Sequence, residues 1–122
     1  MIAILPADDS QRRLLFEKAA LCCDDSGRAM VLTDAGSAKG SILYRLEGQA
    51  VRLLTLSCTD PVDAEGLIRA ALNAAQREGA RTGFCAGGEW EVWAERLGFL
   101  PEKEGFAVSL SEFFARKCCQ ER

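Results

Sequence analysis

The spacing of apolar positions changes several times along the chain and predicts where its elements begin and end. Ile2 to Leu5 is a short apolar run closed by Pro6, which predicts a first strand. Asp8 and the two polar residues after it supply N-cap candidates for a helix. Apolar residues then recur at helical spacing: Leu14, Leu15, Ala19, Cys22 and Cys23. We expect an amphipathic helix of roughly four turns that ends near Ser26-Gly27.

Three β-rich runs follow this helix. They cover residues 29–33, 41–47 and 50–58, and the segments 34–40 and 47–49 separate them as turns. Because both connections are short, the three runs predict an antiparallel meander.

At residue 60 the period changes from two to about 3.6. Asp60 is placed as an N-cap and Pro61 at the first helical position, and a helix over 61–78 follows. Its apolar stripe consists of Leu67, Ile68, Ala71, Leu72 and Ala75. Residues 81–85 then predict a strand that pairs in parallel with 50–58 through a crossover.

The last third of the chain predicts one more helix and two short strands. The helix covers 89–97 and carries Trp90 and Trp93, and strand material follows at 99–100 and 106–110. The rest, from about 111 to 122, reads as a polar tail in which Phe113-Phe114 would form a strand edge or a dimer contact. The whole pattern predicts an α/β fold with a mixed central sheet and flanking helices.

Length and composition limit the number of domains and the available chemistry. The chain has 122 residues, with 48% hydrophobic and 27% charged residues, which favours one globular domain over 1–122. It contains no histidine, which excludes Ser-His-Asp and Cys-His catalysis and most mixed Cys/His zinc sites.

Charge and the terminal segments exclude several partners. Lys and Arg number 15 against 18 Asp and Glu, and the arginines are scattered, so we expect no nucleic-acid surface. The amino terminus lacks a signal-peptide pattern, and no run is long and apolar enough to span a membrane. We therefore expect a cytoplasmic protein with no membrane partner.

The six cysteines fit that compartment and predict no metal site. They lie at Cys22-Cys23, Cys58, Cys85 and Cys118-Cys119, without a CxxC spacing. We interpret them as free thiols rather than as disulfides or metal ligands. The two vicinal pairs have no role that the pattern identifies.

Two segments resemble the GCN5-related N-acetyltransferase (GNAT) family. LIRAALNAAQREG at 67–79 is similar to that family's central helix, and ERLGF at 95–99 resembles the usual end of the next helix. Together with the element order, the resemblance covers nearly the whole chain, with one amino-terminal helix in place of the usual two. It implies the GNAT fold and acyl-CoA-dependent transfer to a small-molecule or peptide amine.

The resemblance also implies where acetyl-CoA would bind. Backbone groups of the fourth strand and of the central helix start would hold it: Leu56, Ser57, Cys58, Val62, Asp63, Ala64 and Glu65. The family's signature, (Gln/Arg)-x-x-Gly-x-(Gly/Ala), places N–H groups around the pyrophosphate. In register, Thr59, Val62 and Ala64 stand at its three defined positions, and only Ala64 fits.

The charges around this segment oppose a pyrophosphate. Pro61 removes one N–H donor, and Asp60 and Asp63 place two negative charges where phosphate charges would arrive. A like-charged pair at about 5 Å, with an effective dielectric near 20, repels by about 3 kcal/mol before salt screening.

Catalytic groups of the family are replaced as well. Ala94 stands where the resemblance implies a tyrosine acid, and Gly87 where an asparagine is common. Glu47 and Glu89 are the candidate general bases.

Two hypotheses follow for the function. The first is an acyl-CoA-dependent N-acetyltransferase that works mainly by positioning its amine. The second is a non-catalytic GNAT-like binding or interaction module that has lost the cofactor signature and the acid.

Overall fold

The chain forms a seven-stranded mixed sheet with helices packed on both faces. The computed structural model describes residues 1–120, with side chains described as far as residue 115. The strands are β1 Ile2–Pro6, β2 Gly27–Asp34, β3 Ser37–Glu47, β4 Ala50–Cys58, β5 Thr82–Cys85, β6 Leu100–Glu102 and β7 Gly105–Ser109. The helices are α1 Asp9–Lys18, α2 Pro61–Arg77, α3 Glu91–Leu97, which is preceded by a 3-10 turn at Gly88–Trp90, and α4 Leu110–Gln120.

The strand order is β1-β2-β3-β4-β5-β7-β6, and among the described strand pairs only β4 and β5 run parallel. The predicted antiparallel meander and the parallel pair after the crossover helix are therefore confirmed. The hairpin of β6 and β7 closes the far side of the sheet, where Gly105 lies against β5. Gly105 has a φ of 155°, and a Cβ there would lie 2.2 Å from the carbonyl oxygen of Cys85, so only glycine fits.

Helix α2 buries more residues than α1 or α3. Its start at an aspartate N-cap and its apolar stripe are as predicted, with Leu67, Ala71, Leu72 and Ala75 each fully buried. This stripe packs on strands β2, β3 and β4, where Met30, Leu32, Ile42 and Tyr44 complete the main core. Burial of apolar area on this scale is the dominant stabilising term of such a domain.

The structure corrects the length and the buried face of α1. The helix ends at Lys18 rather than near Ser26, because Ala20 adopts a positive φ of 58° and turns the chain. Cys22 and Cys23 consequently lie outside it. The side chain that anchors it is Phe16, which is fully buried in a second, smaller cluster with Ala29 and Leu43.

This smaller cluster lies on the opposite face of the sheet from α2. Ala29 and Leu43 alternate with Met30 and Ile42, which belong to the main core. Because successive strand residues point to opposite faces, α1 and α2 cover opposite sides of the sheet.

The predicted turn 34–40 is also shorter than expected. Strand β3 already begins at Ser37, and the connection to β2 is a tight hairpin whose two central residues, Ala35 and Gly36, both have positive φ.

The carboxyl-terminal segment is a helix, not the polar tail that the sequence predicted. Helix α4 begins at Leu110, which is fully buried, and Phe113 is 4% exposed in the main core. The Phe113 ring meets Phe99 edge to face at 6.4 Å and lies under the Arg69 guanidinium at 5.0 Å. Phe113 is therefore neither a strand edge nor an exposed contact. The side chains of Cys118-Cys119 lie outside the described residues.

In the described part of the chain, no helix is long and apolar enough to cross a membrane.

Candidate functional site

Strands β4 and β5 pair over only part of β4, and a gap opens beyond. Pairing runs from Ala50 with Thr82 to Leu53 with Cys85. At the next residue the register between β3 and β4 shifts, since Leu43 faces Thr55 and Tyr44 faces Leu53, which leaves Leu54 as a bulge. A bulge bends its strand and increases the local twist. The second half of β4, as far as Cys58, consequently leaves the edge of β5.

Trp90 fills the beginning of this gap. It follows the short loop after β5, is 4% exposed, and donates its indole Nε1 hydrogen to the carbonyl oxygen of Leu54 at 3.3 Å. The bulged residue therefore finds its partner in a side chain rather than in a neighbouring strand. The bond gives the Leu54 carbonyl a partner, which it lacks in the sheet. It also fixes the plane of the indole.

A cavity of about 240 Å³ lies next to Trp90, between β4, the start of α2 and the start of α3. Its lining residues are Leu56, Cys58, Thr59, Pro61, Ala64, Glu89, Trp90 and Trp93. The walls are mainly apolar and aromatic, which is typical of sites for small molecules.

The start of α2 is closed by its own N-cap. The Asp60 carboxylate accepts hydrogen bonds from the backbone N–H groups of Val62 at 2.8 Å and Asp63 at 3.1 Å, both on Oδ1. The next N–H, of Ala64, donates to the Asp60 carbonyl at 2.9 Å. Pro61 has no N–H. Every donor of the first turn that could face an anion is thus already engaged.

This arrangement does not fit the pyrophosphate of coenzyme A. A pyrophosphate at a helix start is held by free backbone N–H groups, and here one carboxylate oxygen takes their place. The Asp60 carboxylate is an internal anion at the position where an external one would bind, and Asp63 adds a second charge in the same turn. The residues at the start of α2 therefore do not provide the phosphate cradle that the resemblance implied.

The predicted site residues divide between the cavity and other places. Leu56, Cys58, Ala64 and Glu89 line the cavity. Ser57 lies on a different groove, beside α1, and the Val62 side chain is 78% exposed. Asp63 is half-buried, and Glu65 forms ion pairs with Arg69 and Arg96 at 3.0 and 3.8 Å.

Glu47 lies apart from Glu89. It forms an ion pair with Arg52 at 3.1 Å, at the opposite end of β4 from the cavity. Arg52 lines a second hollow of about 240 Å³ with Phe84, Cys85 and the β6–β7 turn. The two candidate bases are thus not brought together.

The two strand-end thiols differ in burial. Cys85 is 3% exposed, and burial raises its pKa to about 11, so this thiol is protonated at neutral pH and is a poor nucleophile. Cys58 is half-buried, and its Sγ lies 3.6 Å from the Asp60 carbonyl oxygen, to which it donates. Among the described side chains, no group of three or more Cys, Asp and Glu is placed to hold a metal ion.

The sequence pattern placed Trp90 and Trp93 on a helix but did not place them in the site. Both line the cavity, and Trp90 also belongs to the main core. The signal was their position at the first turn of the helix after β5, close to the carboxyl ends of two parallel strands, where ligands of α/β sheets bind.

Known proteins resemble this chain in structure but not in sequence. No family model and no curated protein matches the chain. Many solved structures match its fold. The ribosomal-protein-S18-alanine N-acetyltransferase from Escherichia coli is 14% identical, with a TM-score of 0.69 over 90% of this chain and 94% of that one.

Two further structures agree with this result. Mutant forms of the spermidine/spermine N-acetyltransferase SpeG from Vibrio cholerae give 12% identity and a TM-score of 0.69, over 95% of this chain and 99% of that one. A GNAT family acetyltransferase from Brucella melitensis, in complex with acetyl-CoA, gives 16% and 0.64, over 89% and 88%. These matches and the mixed seven-stranded sheet confirm the fold that the sequence resemblance implied: the chain has the fold of the GNAT acetyltransferases.

Proposed function

We propose that this protein is a small-molecule-binding module with the GNAT fold that has lost acetyl-CoA-dependent transfer. The observation that carries the proposal is the double acceptance of the Val62 and Asp63 N–H groups by Asp60. Because a pyrophosphate needs these donors, it would have to displace a carboxylate that is covalently held in place. A cavity with aromatic walls remains beside the closed helix start.

The positions where the family resemblance implies catalytic groups also support the loss of transfer. Ala94, at the tyrosine position, is 1% exposed and packs in the main core. Gly87, at the asparagine position, offers only backbone. Neither can donate a proton to a leaving thiolate.

The alternative function is an acyl-CoA-dependent N-acetyltransferase acting on a small-molecule or peptide amine. Its support is the fold and the bulged, splayed β4, whose outer half has no strand beside it on the β5 side within the described chain. In this alternative the seven predicted backbone positions would hold the cofactor, and Glu89, which lines the cavity, would be the base.

Thermal unfolding with acetyl-CoA separates the two. We expect the wild-type Tm to shift by less than about 1 °C at about 1 mM acetyl-CoA, since binding with a Kd of about 0.1 mM would stabilise the fold by about 1.4 kcal/mol, or roughly 5 °C. A saturable shift of that size in the wild type contradicts the proposal and favours the transferase.

A gain-of-binding variant tests directly whether the Asp60 cap prevents acetyl-CoA from binding. Asp60→Gly combined with Pro61→Ala and Val62→Gly frees the first-turn donors and adds one, so this variant should acquire a saturable acetyl-CoA shift. Asp8→Gly is the matched control, because it removes the N-cap of α1 and leaves the α2 start intact. A folded triple variant that gains nothing would show that Asp60 is not what prevents binding.

A further inference from the structure

We propose that the cavity beside Trp90 binds a small organic cation, of the size of a quaternary alkylammonium ion. This inference rests on the proposed function, because it assigns the cavity a ligand other than acetyl-CoA. The sheet, α2 and α3 meet around this cavity.

The charge of the cavity has one sign. Of the described residues that line it, Glu89 is the only charged one. The turn that forms its floor, from Thr59 to Pro61, also carries Asp60, whose Oδ1 is bonded to the α2 start. An anion in this cavity would face the Glu89 carboxylate and lie near Asp60, which does not itself line the cavity, whereas a cation would be attracted.

The aromatic walls favour the same class of ligand. Both tryptophans of the chain line the cavity, and the face of an indole is the strongest cation-binding surface among side chains. One of the two rings already has a cation beside it, since the Arg96 guanidinium lies 5.5 Å from the Trp93 ring centroid, so Trp90 is the ring left to the ligand. Arg96 also lies 3.8 Å from Glu65, so its charge is partly balanced outside the cavity.

The volume limits the ligand to a small one. About 240 Å³ is below the range of roughly 300–1,000 Å³ that accommodates drug-sized molecules. The wall formed by Trp90 is fixed by its bond to the Leu54 carbonyl, so a preformed surface meets the ligand. Preorganisation of this kind lowers the entropic cost of binding.

A pair of isosteric probes tests the inference. Choline and its neutral carbon isostere, 3,3-dimethylbutan-1-ol, have nearly the same shape and differ in charge. They are titrated into the full chain at constant ionic strength while intrinsic tryptophan fluorescence is followed. Because the chain has only Trp90 and Trp93, and both line the cavity, the signal reports on this site alone.

We expect a saturable fluorescence change with choline, with a Kd in the millimolar range and about tenfold tighter than for the neutral isostere. Glu89→Gln, which keeps the shape and removes the charge, should weaken choline binding by about fivefold. Glu91→Gln, an exposed acid at the start of α3 that does not line the cavity, should leave it unchanged.

Three results would overturn the inference: no saturable response to choline, equal affinity for the neutral isostere, or an equal effect of the two glutamate variants. An acetyl-CoA titration of the same sample separates this failure from that of the proposed function. A missing choline response with no acetyl-CoA response refutes the cation site alone, whereas saturable acetyl-CoA binding refutes the proposed function as well.

Discussion

Helices α1 and α2 begin in the same way but stand in different surroundings. Each has an aspartate N-cap: Asp8 accepts from the Gln11 N–H at 2.8 Å, and Asp60 accepts from Val62 and Asp63. At α1, the side-chain oxygen of Gln11 also accepts a hydrogen bond from the Asp8 N–H, which completes a capping box. That start adjoins the turn after the edge strand β1, whereas the α2 start follows β4 and borders the cavity.

The difference shows that the same kind of N-cap can have different consequences at two helices. At α1 the cap only satisfies backbone donors and stabilises a helix end. At α2 the same kind of cap also occupies the donors that the sequence resemblance assigns to the pyrophosphate of acetyl-CoA. The functional meaning of Asp60 therefore comes from where the sheet places α2, not from the cap itself.

Leucine truncations should produce the largest difference between the two helices. Leu72 on α2 is fully buried, whereas Leu14 on α1 is 52% exposed. We expect Leu72→Ala to lower the free energy of unfolding by about 3 kcal/mol, since it leaves a cavity in the main core. Leu14→Ala should change it by less than about 0.5 kcal/mol. Urea unfolding measures both, and equal effects would contradict the assigned roles of the two helices.

Removal of the caps should have a smaller and nearly equal effect on stability. Asp8→Ala and Asp60→Ala are each expected to cost about 1 kcal/mol, because each exposes helix donors without a partner. Chemical denaturation gives both values. If Asp60→Ala proved clearly stabilising, repulsion between Asp60 and Asp63 would outweigh the stabilisation by the N-cap. The two caps would then not contribute equally to stability.

Alkaline pH should act on the core beneath α2. Burial raises the pKa of Tyr44 to about 12 and that of Cys85 to about 11, from ordinary values of 10.0 and 9.0. Between these values the unfolded chain loses protons that the folded chain keeps, so stability is complete below about pH 9 and falls as pH rises towards 12.

Urea midpoints measured between about pH 8 and 10.5 test this expectation. Cys85→Ala should make the decline shallower, since it removes the group that ionises first in the unfolded chain. A wild-type midpoint that does not change over this interval would show that neither group is desolvated as the structure indicates.

The sequence predicted the architecture well where apolar residues recurred at regular spacing over a long stretch. Asp60, Pro61 and the stripe of α2 form a helix signal that needs no tertiary information. Prediction failed where apolar residues could be assigned to more than one face. In α1 the pattern selected Leu14 and Leu15. Leu15 does pack against the smaller cluster, but Leu14 is 52% exposed, and the fully buried residue is Phe16, which the pattern did not select.

The site was predictable only in part. Leu56, Cys58 and Ala64 were expected at the cofactor position and Glu89 as a candidate base, and all four line the cavity. The helical spacing of Trp90 and Trp93 did not place them there, and only their position after β5 pointed to the site. The bulge at Leu54, which opens the gap, depends on how β4 pairs with β3. A register shift between two strands leaves no clear mark in either strand alone.

By itself, the sequence determined the order of elements, the absence of imidazole chemistry and the aspartate that begins α2, since these depend on residue type and local spacing. Tertiary structure decided what these elements do together. It turned β4 away from β5, placed an indole in the gap, packed the expected tail as helix α4, and set the α2 start beside a cavity. These outcomes depend on contacts between residues far apart in the chain, which local propensity does not encode.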